Sequence, residues 1–212
     1  MIVVGRDLSP FVRRVVVSLK LTGLPYEQRP LATTTDGEQI RALNPLGRVP
    51  ALLLGDDEPP LVDSWTILDH IDEQAGPEKA LVPRDGKARR AVLRLVAIGT
   101  GVAEKGVQSF YERTRRPPET LHAPWRDHCD GQVSGGLAAL EVAAGAAAAR
   151  GWPWLTGERI TQADVTAAVT LDFIRFTAPY QLPAGRYPAL TALADRLYAL
   201  PAFQETSLER FR

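Results

Sequence analysis

The residues that could do chemistry lie in short stretches within the first third of the chain. Ser9-Pro10 places a hydroxyl at a predicted helix start, and Asp63-Ser64 places another at a second helix start. Val49-Pro50 leads into an apolar strand pattern. A helix N-terminus offers unpaired N–H groups and about half a positive charge, which suits an anion. Because the residue before a strand-initial proline can pair with an extended peptide, the set predicts a site for a short, anionic, peptide-like ligand.

Other reactive arrangements are missing or weak in the sequence. No Gly-x-Ser-x-Gly, P-loop or His-Glu-x-x-His motif occurs. Gly99-Thr100-Gly101 lacks the third glycine and the preceding strand of a dinucleotide site. His128-Cys129-Asp130 is better explained as a surface helix triplet than as a thiol nucleophile. Since Cys129 is the single cysteine, we expect no intrachain disulfide and no metal site.

The charge balance and the distribution of apolar residues argue against nucleic-acid-binding and membrane proteins. The 212 residues carry 25 basic and 25 acidic side chains, so the formal net charge is zero. This balance gives no electrostatic basis for binding nucleic acid or an anionic membrane. No apolar run approaches the roughly 18 residues that span a bilayer, and charge appears too early for a signal peptide. We therefore expect a cytoplasmic protein with no nucleic-acid or membrane partner.

The pattern of apolar residues predicts an α+β arrangement at the N-terminus. Short strand patterns and helix patterns alternate and end with a hairpin, which indicates the order β-α-β-α-β-β-α. The predicted strands are residues 2–4, 26–31, 49–54 and 61–62, with Gly55-Asp56-Asp57 as the hairpin turn. The predicted helices start at Ser9-Pro10, at residue 37 and at Ser64, which we take as a cap.

The rest of the chain has a helical pattern almost throughout. One long helix is predicted from residue 87 to about 112 and a second from about 123 to 150. Four glycines in the second helix cost about 1 kcal/mol each relative to alanine, so it should be weak or kinked. They are Gly131, Gly135, Gly136 and Gly145. The predicted domains are residues 1–76 and 87–212, joined by a linker at 77–86.

A later segment predicts the centre of the helical domain. Thr161 is an N-cap candidate, and Asp164 stands three residues on, where a capping-box carboxylate reaches back. The sequence from Val165 to Phe176 is apolar nearly all round, so this helix should be buried. We expect its role to be structural rather than catalytic.

Four of these motifs, in this order, resemble those of the soluble glutathione transferase superfamily over nearly the whole chain. They are Ser9-Pro10-Phe11-Val12-Arg13, Asn44-Pro45-Leu46-Gly47-Arg48-Val49-Pro50-Ala51-Leu52, Leu61-Val62-Asp63-Ser64 and Thr161-Gln162-Ala163-Asp164. The resemblance implies an N-terminal thioredoxin-like domain, an all-helical C-terminal domain and a homodimer. It also implies that the Val49-Pro50 peptide bond is cis.

The resemblance assigns glutathione, as co-substrate, to the N-terminal domain. It implies that Ser9 is the catalytic residue beside the glutathione thiol. The cysteinyl backbone would pair with the main chain of Val49, and the γ-glutamyl group would lie at Asp63 and Ser64, with water bridging the short Asp63 side chain. The positions implied to bind glutathione are Phe11, Arg48, Val49, Pro50, Asp63 and Ser64.

A hydrogen bond from a serine supplies enough free energy to ionise the glutathione thiol near neutral pH. A free thiol with a pKa of about 8.5 is only about 3% ionised at neutral pH, and the thiolate is the nucleophile. Half ionisation needs about 2 kcal/mol. A charge-assisted hydrogen bond from Ser9 is worth about 1.5–3 kcal/mol, and the helix N-terminus adds about 0.3–1 kcal/mol. We therefore expect bound thiolate to attack a small hydrophobic electrophile.

The electrophile pocket is expected between the domains, along the first long helices of the second one. Gln108, Tyr111 and Trp125 are the candidate residues. Relatives that work by thiol–disulfide exchange carry cysteine where Ser9 stands, which disfavours that chemistry.

Two alternatives remain. One is a glutathione-dependent isomerase similar to maleylacetoacetate isomerase, although Pro10-Phe11-Val12 follows Ser9 where those relatives typically have further Ser and Cys. The other is a non-catalytic, transferase-like scaffold or stress protein, against which the retained Ser9, Val49-Pro50 and Asp63-Ser64 argue.

Overall fold

The chain divides into two units, each with its own core. One consists of Met1–Arg84 with Leu200–Arg212, and the other of Asp85–Ala199. The computed structural model describes residues 1–55 and 58–211, so the two aspartates of the predicted turn at residues 55–57 lie outside the described residues. Residues 200–212 group with the first unit, whereas the helical pattern assigned them to the second. The domain boundaries at residues 76 and 87 stay a prediction.

The first unit is built on a four-stranded mixed sheet in the order β2-β1-β3-β4. Strand β1 (Ile2–Val4) pairs in parallel with β2 (Glu27–Arg29) and antiparallel with β3 (Ala51–Leu53), which pairs antiparallel with β4 (Leu61–Val62). The second and third strands are shorter than predicted because β1 offers only three residues to pair with. The element order β-α-β-α-β-β-α is confirmed.

Three helices accompany the sheet: α1 (Pro10–Thr22), α2 (Gly37–Leu43) and α3 (Ser64–Ala75). Ser9 is the N-cap of α1, and Gly23, in the left-handed region at φ 75°, ends the helix. The run of β-branched residues from Val15 to Val17 is poor helix chemistry. All three side chains are buried, so packing maintains this helix.

The C-terminal segment, with the short helix α8 (Pro201–Gln204), contacts α1 through polar side chains. Arg13 Nε donates to Thr206 Oγ1 at 3.3 Å between two fully buried side chains. Lys20 forms an ion pair with Glu205. These contacts explain why residues 200–212 group with the first unit.

The second unit consists mainly of four helices: α4 (Gly86–Thr114), α5 (Ala123–Ala149), α6 (Gln162–Thr177) and α7 (Pro188–Tyr198). Helix α6 packs against both α4 and α7, and most of its residues are buried, which confirms the predicted central helix. Helix α5 runs without a break in its hydrogen-bonded pattern, so the predicted weakness is not seen. Packing against α4 compensates for its glycines.

The capping box at the start of α6 is present as predicted. Asp164 Oδ2 accepts from the Thr161 N–H and hydroxyl, each at 2.8 Å, and Oδ1 accepts from the Leu155 N–H at 2.7 Å. Asp164 is fully buried. Burial raises the pKa of this carboxyl, and the hydrogen bonds from Leu155 and Thr161 oppose that rise.

Two adjacent glycines in α5 provide a test of how closely α4 and α5 pack. A Cβ at Gly136 would overlap Val102 Cγ2, whereas one at Gly135 would meet none of the described residues within 4 Å. We expect Gly136→Ala to lower the free energy of unfolding by about 1–3 kcal/mol through overpacking. Gly135→Ala should raise it by about 0.5–1 kcal/mol through helix propensity. Chemical denaturation of both variants measures this, and equal shifts would contradict the packing argument.

Candidate active site

Ser9 stands at the end of the loop that follows β1. Its backbone is extended, at φ −72° and ψ 121°, and its Oγ accepts from the Val12 N–H at 3.4 Å, as an N-cap should. The side chain is half-buried. Among the residues that the structure describes, none accepts the Ser9 hydroxyl proton. The site therefore holds an oriented, partly desolvated donor at a helix N-terminus.

The loop that carries Ser9 is fixed by Gln28. Its Nε2 donates to the Gly5 carbonyl at 2.9 Å and to Asp7 Oδ1 at 2.8 Å. The Gly5 N–H donates to the Arg29 carbonyl at 2.8 Å. These bonds attach the loop between β1 and α1 to strand β2. The sheet therefore fixes the position of the loop that carries Ser9.

Val49-Pro50 lies beside this loop because Gly5 has no side chain. A Cβ at Gly5 would lie 2.5 Å from Val12 Cγ2 and 3.0 Å from Val49 Cβ, and the Gly5 φ of 131° also favours glycine. The Val49-Pro50 peptide bond is cis, as the resemblance implies. Val49 precedes β3, and its N–H and C=O make none of the backbone hydrogen bonds that described residues form outside helices and strands.

The start of α3 differs in one detail from the sequence prediction. The N-cap is Asp63 rather than Ser64, because the Asp63 carboxylate accepts from the Trp65 N–H at 2.9 Å. Asp63 is the one described non-glycine residue with a positive φ, at 67°. Ser64 is the first helical residue of α3 and is buried, at 2% exposed.

Arg14 connects the starts of α1 and α3. It is fully buried on α1, and its Nε and Nη2 donate to Ser64 Oγ at 3.0 and 2.8 Å. Ser9, Val49-Pro50 and Ser64 therefore all lie against the first turns of α1. This geometry brings the anion-binding and peptide-pairing elements of the sequence analysis into one region of the first unit.

The remaining N-terminal candidates flank this region. Phe11 is half-buried in the first turn of α1. The exposed Arg48 has its carbonyl held by Asn44 Nδ2 at 2.9 Å, while Asn44 Oδ1 accepts from the Leu46 N–H at 3.0 Å. Asn44 therefore shapes the turn that leads to Val49.

The electrophile-pocket candidates all lie in the second unit and are only partly brought together. Lys105 Nζ is 3.5 Å from Gln108 Oε1 and 5.4 Å from the Trp125 ring centroid, so these residues are neighbours across α4 and α5. Tyr111 instead lies under the Arg115 guanidinium, 3.7 Å from its ring centroid. Their role in binding an electrophile stays a prediction.

Cys129 is not the surface residue that the sequence suggested. It is fully buried, its Sγ lies 3.7 Å from Gln108 Oε1, and burial raises the pKa of its thiol. A buried, protonated thiol is a poor nucleophile.

Sequence reasoning missed two residues that build the region. They are Gly5, which lets Val49 approach the loop, and Arg14, which bonds to Ser64. A charged residue inside an otherwise apolar helix face was the available signal for Arg14.

Two negative observations concern the described residues only. Within ranges 1–55 and 58–211, no group of three or more His, Cys, Asp and Glu side chains could hold a metal ion. No helix in that part of the chain has both the length and the apolar character needed to cross a membrane.

Comparisons with known proteins agree with this geometry. Residues 3–79 match the glutathione S-transferase N-terminal domain family, and residues 123–196 match the glutathione S-transferase C-terminal domain family. Maleylacetoacetate isomerase from Pseudomonas aeruginosa is 32% identical over 203 residues, which cover 91% of this chain and 88% of that protein. A glutathione S-transferase from Triticum aestivum is 27% identical over 207 residues, which cover 96% of this chain and 91% of that protein.

A solved structure gives the same result. A glutathione transferase family member from Pseudomonas fluorescens Pf-5, with bound glutathione, superposes with a TM-score of 0.84 at 29% identity, covering 97% of this chain and 98% of that one. The matches confirm the predicted thioredoxin-like and all-helical domains. This chain belongs to the glutathione S-transferase family.

Proposed function

We propose that this protein binds glutathione on its first unit and activates the thiol by a hydrogen bond from Ser9. The observation that carries the proposal is the Ser9 hydroxyl, a half-buried donor at the N-cap of α1 without an acceptor among the described residues. A thiolate is the acceptor that fits a donor at a helix N-terminus.

The tripeptide would dock by its backbone and its anionic end. The backbone groups of Val49, which make no turn or loop backbone hydrogen bond with a described residue, would pair with the cysteinyl residue in the manner of an added strand. The γ-glutamyl carboxylate would lie at the start of α3, where Ser64 and the helix N-terminus supply donors. Phe11 would flank the sulfur, and Arg48 would contact the tripeptide from the exposed rim.

In the reaction, Ser9 donates to the sulfur and stays protonated. The thiol proton leaves to water, and the thiolate forms a C–S bond with an electrophilic carbon. In a substitution, the leaving group departs with the electron pair of its broken bond. The Ser9 bond contributes about 1.5–3 kcal/mol toward thiolate formation, which covers the approximately 2 kcal/mol needed for half ionisation.

The resemblance also supports the finer parts of the proposal. They are a small hydrophobic electrophile bound with the help of Gln108, Tyr111 and Trp125, a homodimer, and a cytoplasmic location. The exposure of two aromatic rings, Tyr111 at 36% and Trp125 at 40%, supports the first of these.

Glutathione-dependent isomerisation is a second candidate. The 32% identity to a maleylacetoacetate isomerase over most of both chains favours it. The same thiolate would add to a conjugated cis alkene and leave again after rotation, so glutathione would not be consumed. Stoichiometry therefore distinguishes the two reactions, because conjugation consumes one glutathione per product.

Calorimetry and turnover test the shared core of both candidates. We expect glutathione to release measurable binding heat and cysteinylglycine, which lacks the γ-glutamyl group, to bind at least about tenfold more weakly. We also expect glutathione-dependent consumption of an aryl chloride or of a cis-configured unsaturated dicarboxylic acid. Absence of both binding heat and turnover would refute the proposal and favour a scaffold role.

A further inference from the structure

A buried arginine lies directly behind the start of α3. Arg14 is 1% exposed, and both Nε and Nη2 point at the same oxygen, Ser64 Oγ, at 3.0 and 2.8 Å. Burying a guanidinium is unfavourable unless its N–H groups are hydrogen-bonded. Two of these N–H groups are directed at the one hydroxyl oxygen of Ser64.

The two bonds fix the direction in which Ser64 can donate. A guanidinium has donors only, so the Ser64 oxygen must accept from Arg14. Its single hydrogen then points away from Arg14, toward an acceptor elsewhere. Because Ser64 is the first residue of α3, its backbone N–H is also without an intrahelical partner. Two donors, a positive charge behind them and a helix N-terminus thus converge where an anion would sit.

Trp65 is a second neighbour of the Arg14 guanidinium. The Arg14 Cζ lies 5.1 Å from the Trp65 ring centroid, a cation–π contact, and the guanidinium belongs to a residue that is only 1% exposed. The backbone N–H of Trp65 donates to the Asp63 carboxylate at 2.9 Å. A charge screened from solvent acts more strongly on a nearby anion than an exposed one does.

We infer that Arg14 is a positioning residue that makes the start of α3 selective for thiols bearing a carboxylate on the γ-glutamyl side. It acts through Ser64, whose hydroxyl it orients and polarises, and does not itself touch the tripeptide. This inference rests on the proposed function, since it concerns the end of the site opposite to Ser9.

The test compares glutathione with 4-aminobutyryl-cysteinylglycine, which lacks only the γ-glutamyl α-carboxylate. The variants are Arg14→Met and the milder Arg14→Lys, which keeps the charge but cannot make the two-pronged contact. In Arg14→Met we expect KM for glutathione to rise about tenfold or more, with kcat within about twofold of wild type. KM for the analogue should change less than about twofold, so the preference for glutathione falls about tenfold. Arg14→Lys should lower the preference for glutathione over the analogue by a smaller factor than Arg14→Met does.

Arg13 supplies the matched control. It is equally buried on the same helix, but it donates to Thr206. Arg13→Met should lower thermal stability without changing the preference between the two thiols. If Arg14→Met does not fold, Arg14→Lys and Ser64→Ala carry the test, and both should lower the preference. Equal rises in KM for both thiols would overturn the inference, whereas a wild-type protein that binds neither thiol would refute the proposed function instead.

Discussion

Ser9→Ala is expected to lower kcat/KM for glutathione roughly 10- to 100-fold near neutral pH, because the thiolate loses a hydrogen bond worth about 1.5–3 kcal/mol. The Ser9 hydroxyl stands at the N-cap of α1 and has no acceptor among the described residues. The loss should appear as a rise of about 1–2 units in the pH at which the rate is half-maximal. At alkaline pH, where the thiol ionises without help, the deficit should shrink. Steady-state rates across pH measure both effects.

Ser9→Thr is the matched control, because it keeps a hydroxyl in the same place. It should retain most of the activity and the wild-type pH profile. Ser9 also caps α1 through the Val12 N–H, so its alanine variant should lose about 0.5–2 kcal/mol of stability. Thermal unfolding separates that loss from the kinetic one. Identical pH profiles in wild type and Ser9→Ala would show that the serine does not activate the thiol.

Local signals in the sequence were enough for the elements that carry the site. Ser9-Pro10 and Gly23 bound α1 through chemistry that depends only on neighbouring residues. The capping box of α6 is likewise local. Strand ends were less predictable, since the ends of β2 and β3 are set by how many residues β1 offers, and β1 is distant in sequence.

Contacts between residues distant in sequence determine the features that local sequence patterns did not predict. The glycines of α5 predict a weak helix by propensity, yet Gly136 is required for close contact with Val102 on α4. Gly5 admits Val49 beside the loop to Ser9, across more than forty residues of chain. The link from Arg14 to Ser64 spans 50 residues. Each is a contact between elements, and no local rule for turns, caps or periodicity reports it.

Asp164→Ala is expected to cause the largest loss of stability, about 3–5 kcal/mol. The carboxylate is fully buried and accepts from the Leu155 N–H, the Thr161 N–H and the Thr161 hydroxyl. Alanine would leave these donors buried without an acceptor at the start of the central helix of the second unit. Chemical denaturation measures the change. Asp127→Ala is the control, because Asp127 is 63% exposed and its one ion pair within the described part of the chain is with its neighbour Arg126, so its loss should stay below about 0.5 kcal/mol.

The pH dependence of the same site has a defined sign. Burial raises the pKa of Asp164 above its ordinary 3.8, so the folded protein binds more protons than the unfolded chain between 3.8 and the raised value. Within that window the free energy of unfolding contributed by Asp164 decreases as pH rises, and above it the contribution is constant. Asp164→Asn does not titrate, so the advantage of wild type over this variant should shrink from pH 3.8 upward and then level off. An advantage that instead grows with pH would mean that the three hydrogen bonds outweigh burial and hold the pKa low.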